Sequence, residues 1–240
     1  MVGVMLSALS IAAATALGAI LGVFLKDIER KKYGIITAIA AGVMMSAAVH
    51  GLLLSAMEQM HAVVVCAGVT CGATLLRWFN RWAERKCTED ARVKQVRGLL
   101  FVFAIAAHHI PEGMAAGVSF GAGDCVETIS VCTAIALQNI PETMMIFPSM
   151  SGFGRKKILA AVLISGGVEI VGLLMGYFAV QISVQLLPLL LSLAAGAMLY
   201  VIFESMLSEV YEQSIAFKSE AVLGGYCGML LLTAFVEWII

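Results

Sequence analysis

Charge is scarce in this chain of 240 residues. Asp, Glu, Lys and Arg make up 13% of it, where a water-soluble domain carries about a quarter. A surface wetted on all sides is therefore excluded. Three stretches, Met1 to Leu25, Tyr33 to Met57 and Ile170 to Phe203, hold no charged residue at all. A helix crosses the hydrocarbon core with about 20 apolar residues, so the first two suffice for one crossing each and the third for two, with Pro188 as its break. A basic n-region is also missing. Nothing before Lys26 is charged, so the first run reads as a retained span and not as a signal peptide. The six cysteines (Cys66, Cys71, Cys87, Cys125, Cys132, Cys227) form no C-x-x-C pair and read as small apolar residues. No H-E-x-x-H occurs, which removes the usual signature of a zinc protease.

What is present is a series of apolar segments. Hydropathy predicts eight spans, at approximately 2–25, 34–57, 61–79, 98–120, 127–150, 158–181, 186–208 and 221–240. The expected fold is an all-α integral membrane protein, one domain over 1–240 with a cytoplasmic loop at about 80–97. Basic residues set its orientation. Lys26, Arg30, Lys31 and Lys32 follow span one, and Arg77, Arg81, Arg85, Lys86, Arg92, Lys94 and Arg97 lie around the connection of spans three and four. Arg155, Lys156 and Lys157 follow span five, and Lys218 follows span seven. These are all 15 Lys and Arg of the chain. The alternate connections, 58–61, 121–126 and 181–187, contain none. Since Lys and Arg are retained in the cytoplasm, both termini are expected outside it, in a plasma (cell inner) membrane protein. Topology accounts for the basic loop, and no nucleic-acid partner is expected.

Two internal similarities accompany the spans. His109-Ile110-Pro111-Glu112 matches Asn139-Ile140-Pro141-Glu142 at an offset of 30. Ala40-Ala41-Gly42-Val43-Met44 matches Ala194-Ala195-Gly196-Ala197-Met198 at an offset of 154, which also pairs His50 with Glu204. Spans two and seven run in opposite directions. Weak repeats of opposed direction mark inverted-repeat transporters, which bind their substrates near the midplane.

The polar residues concentrate in spans four and five. His108 and Glu112 are four apart, as are Gln138 and Glu142, so each pair shares a helix face. His109 and Asn139 widen those faces, and Glu112 and Glu142 are placed to be shared between two adjacent ions. Each proline frees the carbonyl four residues back, those of Ala107 and Leu137. Span six adds Glu169 beside Gly166 and Gly167. A carboxylate at mid-span costs about 2.5–3.5 kcal/mol, so three exposed to lipid would cost on the order of 8–10 kcal/mol. No Lys or Arg within a span pairs with them. They are protonated, line a polar cavity or bind cations. Imidazole, carboxylate and amide donors suit Zn²⁺, Fe²⁺ or Mn²⁺, and the lack of a thiol argues against copper(I). His50, mid-span, serves either a helix contact or an ion path, and His61 reads as a surface histidine at the outer boundary.

At these residues the chain resembles the ZIP (Zrt-, Irt-like protein) family of divalent-metal transporters, most closely its compact prokaryotic branch. The resemblance runs over the eight spans, the basic loop after span three, and the paired Pro-Glu helices. It implies an inverted-repeat architecture and a binuclear centre, with the metal as cargo and no cofactor. One ion would be held by His108, Glu112, Gln138 and Glu142, and the second by His109, Glu112, Asn139, Glu142 and Glu169. It further implies a homodimer and an elevator-like movement of the metal-carrying helices. Several positions depart from the family's pattern. His109 stands where Asn is frequent, and Thr143 where Gly is frequent. Span seven reads Phe203-Glu204-Ser205-Met206-Leu207-Ser208-Glu209, so Glu204 matches while Phe203 and Ser208 do not. The cytoplasmic loop lacks histidine. The expected function is transport of zinc, or of iron, manganese or cadmium, into the cytoplasm, with His50 and Glu204 as possible pathway residues. The alternative is an intramembrane metal sensor or metalloenzyme without transport.

Overall fold

Lipid offers the backbone no hydrogen-bond partners, so an apolar chain must satisfy its amides within each segment. The computed structural model describes residues 2–25, 30–85, 102, 106, 109–110, 112–121, 125–150, 152–182, 186–212 and 216–239, and no strand occurs among them. Eight helices do. They are α1 (Val2–Leu25); α2, which begins as Arg30–Ser46, passes through a π-helical stretch Ala47–Leu54 and ends as Ser55–Gln59; and α3 (Ala62–Arg85). Then follow α4, described continuously over 112–121, α5 (Cys125–Ser149) and α6 (Arg155–Ile182). Finally α7 runs Leu187–Val201, a π-helical Ile202–Leu207 and Ser208–Glu212, and α8 is Lys218–Ile239.

Four stretches among the described residues are long and apolar enough to cross a membrane: Lys32–Gln59, Ala62–Trp82, Arg155–Ala179 and Leu187–Glu212. Pro188 occupies the first turn of α7, where its missing N–H costs no helical hydrogen bond. The loop expected at 80–97 falls outside the described residues from 86 onward, as does most of the expected fourth span before 109.

The packing is that of a protein turned outward to lipid. Large apolar side chains point away from the bundle, including Leu163, Ile164, Val171 and Phe178 of α6. Small or polar ones fill its interior, among them Ala38, Ala40, Ala41, Ala48, Thr37, Ser165 and Ser192. Lys32, Arg77, Arg81, Arg155, Lys156 and Lys157 are exposed, and Lys218 is partly so.

The helices sort into two groups. In one, α1 packs along α5, and α6 lies against α1, α4 and α5; in the other, α2 packs along α8 and α3 along α7, with α7 also against α2. The groups meet where α5 lies against α2 and α8, as in the 3.7 Å contact of Thr37 Oγ1 with Met145 Sδ.

Close packing within these pairs depends on missing side chains. A Cβ at Gly172 would meet the carbonyl of Ile110, and one at Gly113 the carbonyl of Glu169, so α4 and α6 touch backbone to backbone. Backbone atoms cannot swing aside, which is why small residues recur where membrane helices meet closely. Gly172→Leu is expected to destabilise the protein by about 1–3 kcal/mol through overpacking, a fall of roughly 2–12 °C in Tm for a chain of this size. Gly167→Leu, at a position with open space around it, is expected to leave Tm nearly unchanged. Thermal unfolding in detergent compares the two.

Candidate metal centre

Three helices bring polar side chains to one buried place. From α4 and the turn before its continuous stretch come His109 and Glu112; from α5, Gln138, Asn139 and Glu142; from α6, Ser165 and Glu169. All seven are buried, none more than 2% exposed. Helical spacing explains each cluster. His109 and Glu112 are three apart, and Gln138 and Asn139 stand four and three before Glu142, so each set lies on one face of its helix. The bare backbones at Gly113 and Gly172 then set the α4 and α6 faces side by side.

Each helix is tied to both others by polar groups. His109 Nε2 lies 3.0 Å from Glu142 Oε2, joining α4 to α5, and 3.9 Å from Glu112 Oε2. The amide of Gln138 donates to Glu112 Oε1 across the same pair of helices. Asn139 Nδ2 donates to both oxygens of Glu169, at 2.7 and 2.8 Å, joining α5 to α6. On the far side of the imidazole, His109 Nδ1 is 2.7 Å from Ser165 Oγ and 3.3 Å from the Ser165 carbonyl, joining α4 to α6.

His109, Glu112 and Glu142 each offer one donor atom such that all three lie within 4.8 Å of one another. That spread can contract around a small ion whose nitrogen and oxygen ligands sit at about 2.0–2.2 Å. Two acceptors in the cluster, Glu112 Oε2 and Asn139 Oδ1, are buried without a hydrogen bond. Such groups cost about 1–3 kcal/mol each when left unsatisfied, and oxygen acceptors of this kind can bind a cation. Three carboxylates with one imidazole and two amides form a hard-to-borderline donor set, fit for a divalent first-row ion.

His108, assigned to the first ion, lies outside the described residues, as does Pro111. Helix α5 continues through Pro141, so the carbonyl of Leu137 has no helical donor four residues on. The possible pathway residues are elsewhere. His50 sits in the π-helical part of α2 and its Nε2 is 2.9 Å from the Tyr226 hydroxyl of α8, which makes it a contact between helices. Glu204 is exposed in the π-helical part of α7. His61 is exposed, its Nδ1 accepting the Val63 amide at 3.3 Å. Ser165 is not marked out by the sequence pattern. Its only signal was position, one helical turn before Glu169 on the same face.

A scan against protein families matches residues 81–233 to the ZIP zinc transporter model. Among curated proteins, the zinc transporter GufA of Myxococcus xanthus is 34% identical over 234 residues, covering 91% of each chain. Zinc transporter ZIPB of Bordetella bronchiseptica is 31% identical over 239 residues, covering 92% of this chain and 76% of its own. Zinc transporter ZupT of Chlorobium chlorochromatii is 27% identical over 227 residues, covering 82% and 84%.

Proposed function

The chain belongs to the ZIP zinc-transporter family, and from that membership we propose that it carries zinc into the cytoplasm through a binuclear site between α4, α5 and α6. It is a transporter of divalent metal and not an enzyme. The observation that carries the proposal is the buried convergence of His109, Glu112 and Glu142, with Glu169 held beside them by Asn139. Removing carboxylates from water is costly, and a doubly charged ion among them offsets that cost. With Glu112 and Glu142 bridging, His108 and Gln138 complete one ion's shell and His109, Asn139 and Glu169 the other's. Iron, manganese and cadmium are further cargoes that this donor set accommodates.

Eight spans in an inverted repeat are the architecture we propose. An offset of 154 carries Gly18 and Gly22 of α1 onto Gly172 and Gly176 of α6. Gly18 abuts the carbonyl of Ile140, and Gly172 that of Ile110, the two matched isoleucines of the Pro-Glu helices. The same offset carries Gly42 onto Gly196, which abut Val222 of α8 and Val69 of α3. It also carries 48–53, within the π-helical part of α2, onto the π-helical 202–207 of α7. Such agreement between backbone contacts and sequence offset supports the repeat. The pairs α1–α5 and α4–α6 would be one body of the carrier, and α2–α8 and α3–α7 the other. In this reading the first moves against the second, within a homodimer in the plasma membrane, with both termini outside. Transport into the cytoplasm follows from the resemblance and the orientation set by the basic loops.

The test is uptake. Purified protein in liposomes loaded with a zinc-sensitive dye is expected to pass zinc in a saturable manner, and manganese and cadmium to compete with it. Zinc entry no faster than into protein-free liposomes would refute transport.

A further inference from the structure

The two ring nitrogens of His109 meet different surroundings. Nε2 faces the carboxylates, 3.0 Å from Glu142 and 3.9 Å from Glu112. Nδ1 faces α6, 2.7 Å from the hydroxyl oxygen of Ser165 and 3.3 Å from its carbonyl oxygen. A neutral imidazole carries one N–H and one lone pair. It can present the lone pair to an ion from Nε2 only when the proton sits on Nδ1, and that proton needs an acceptor. With the proton on Nδ1, either Ser165 oxygen can accept it, the hydroxyl at the shorter distance. Ser165 is 1% exposed, so bulk water offers no ready substitute.

The internal repeat supplies an independent observation. The offset of 30 that matches the Pro-Glu helices carries His109 onto Asn139, and the offset of 154 carries Ile11 onto Ser165. Ile11 is buried in an apolar cluster with Cys132 and Ile135. An asparagine amide has no tautomer to set, and the matched position of α1 holds an apolar residue. An imidazole has one to set, and the helix on its side presents a hydroxyl.

We propose that Ser165 is a positioning residue of the metal centre, holding the Nδ1–H of His109 and thereby turning the Nε2 lone pair toward the cargo ion. The inference rests on the function proposed above and adds a residue that touches the ion only through His109.

Zinc binding to the purified full-length protein in detergent tests it by titration calorimetry. Loss of a group that orients a metal-binding imidazole weakens metal affinity by about 10–100-fold. Ser165→Ala is expected at the lower end, near 10-fold, because the Ser165 carbonyl remains. Ser165→Thr keeps the hydroxyl and is expected to bind within about 2-fold of the unsubstituted protein. In a His109→Asn background, Ser165→Ala is expected to change affinity by less than about 2-fold, since residues that act through one another are non-additive. Three outcomes would overturn the inference: undiminished affinity in Ser165→Ala, a loss in Ser165→Thr as large as in Ser165→Ala, or an equal loss with and without His109. Failure of the unsubstituted protein to bind zinc would instead remove the proposed function, and this role of Ser165 with it.

Discussion

Glu142→Ala is expected to lower zinc uptake into proteoliposomes by at least 100-fold. Glu142 is buried, lies 3.0 Å from His109 Nε2 and shares with Glu112 the position between the proposed ions. Removing one partner of a buried charge pair costs about 3–5 kcal/mol, which corresponds to more than 100-fold in affinity. A bridging carboxylate contacts two ions, so both sites weaken together. Glu142→Gln keeps the side chain's volume and hydrogen-bonding reach while removing its charge. Its uptake is expected to fall almost as far, which separates the loss of charge from the loss of packing. Retention of more than a tenth of the uptake by either variant would count against Glu142 as a ligand.

His109→Asn is expected to change which metal the carrier prefers. Imidazole favours zinc over manganese, whereas an amide oxygen is a harder donor and more indifferent between them. The substitution reproduces on α4 what α5 already has at Asn139, so the fold should accept it. Competition of manganese against zinc uptake is expected to show the ratio shifting toward manganese by on the order of 10-fold. An unchanged ratio would mean that the His109 ring does not reach the ion.

The helical class and the polar faces of the centre were legible in the sequence because both depend on spacing along one helix. Uncharged runs of span length leave the chain no option but helices in lipid. Residues four apart share a face whatever surrounds them, so His108 with Glu112 and Gln138 with Glu142 could be grouped, with His109 and Asn139 widening those faces, before any contact was known. Glu169 stood out as a carboxylate in an apolar run. Contacts between helices were less legible. Serine is common in membrane helices, and nothing distinguishes Ser165 from its neighbours until α6 is laid against α4. The glycines at 18, 22, 172 and 176 are ordinary in composition, and their role appears only where another backbone abuts them. The π-helical stretches around His50 and Glu204 leave no mark in hydropathy, because one altered turn changes neither length nor polarity. The bond of His50 to Tyr226 on α8 is likewise a contact across helices that spacing along α2 does not reveal.

Zinc K-edge X-ray absorption on the zinc-loaded protein tests most directly whether these buried carboxylates hold the cargo. The spectrum is expected to show nitrogen and oxygen neighbours at about 2.0–2.2 Å with imidazole scattering and no sulfur, and a second zinc at about 3.5–4 Å. In Glu112→Ala the zinc–zinc feature is expected to disappear. A sulfur shell near 2.3 Å, or a spectrum unaltered by Glu112→Ala, would place the metal elsewhere.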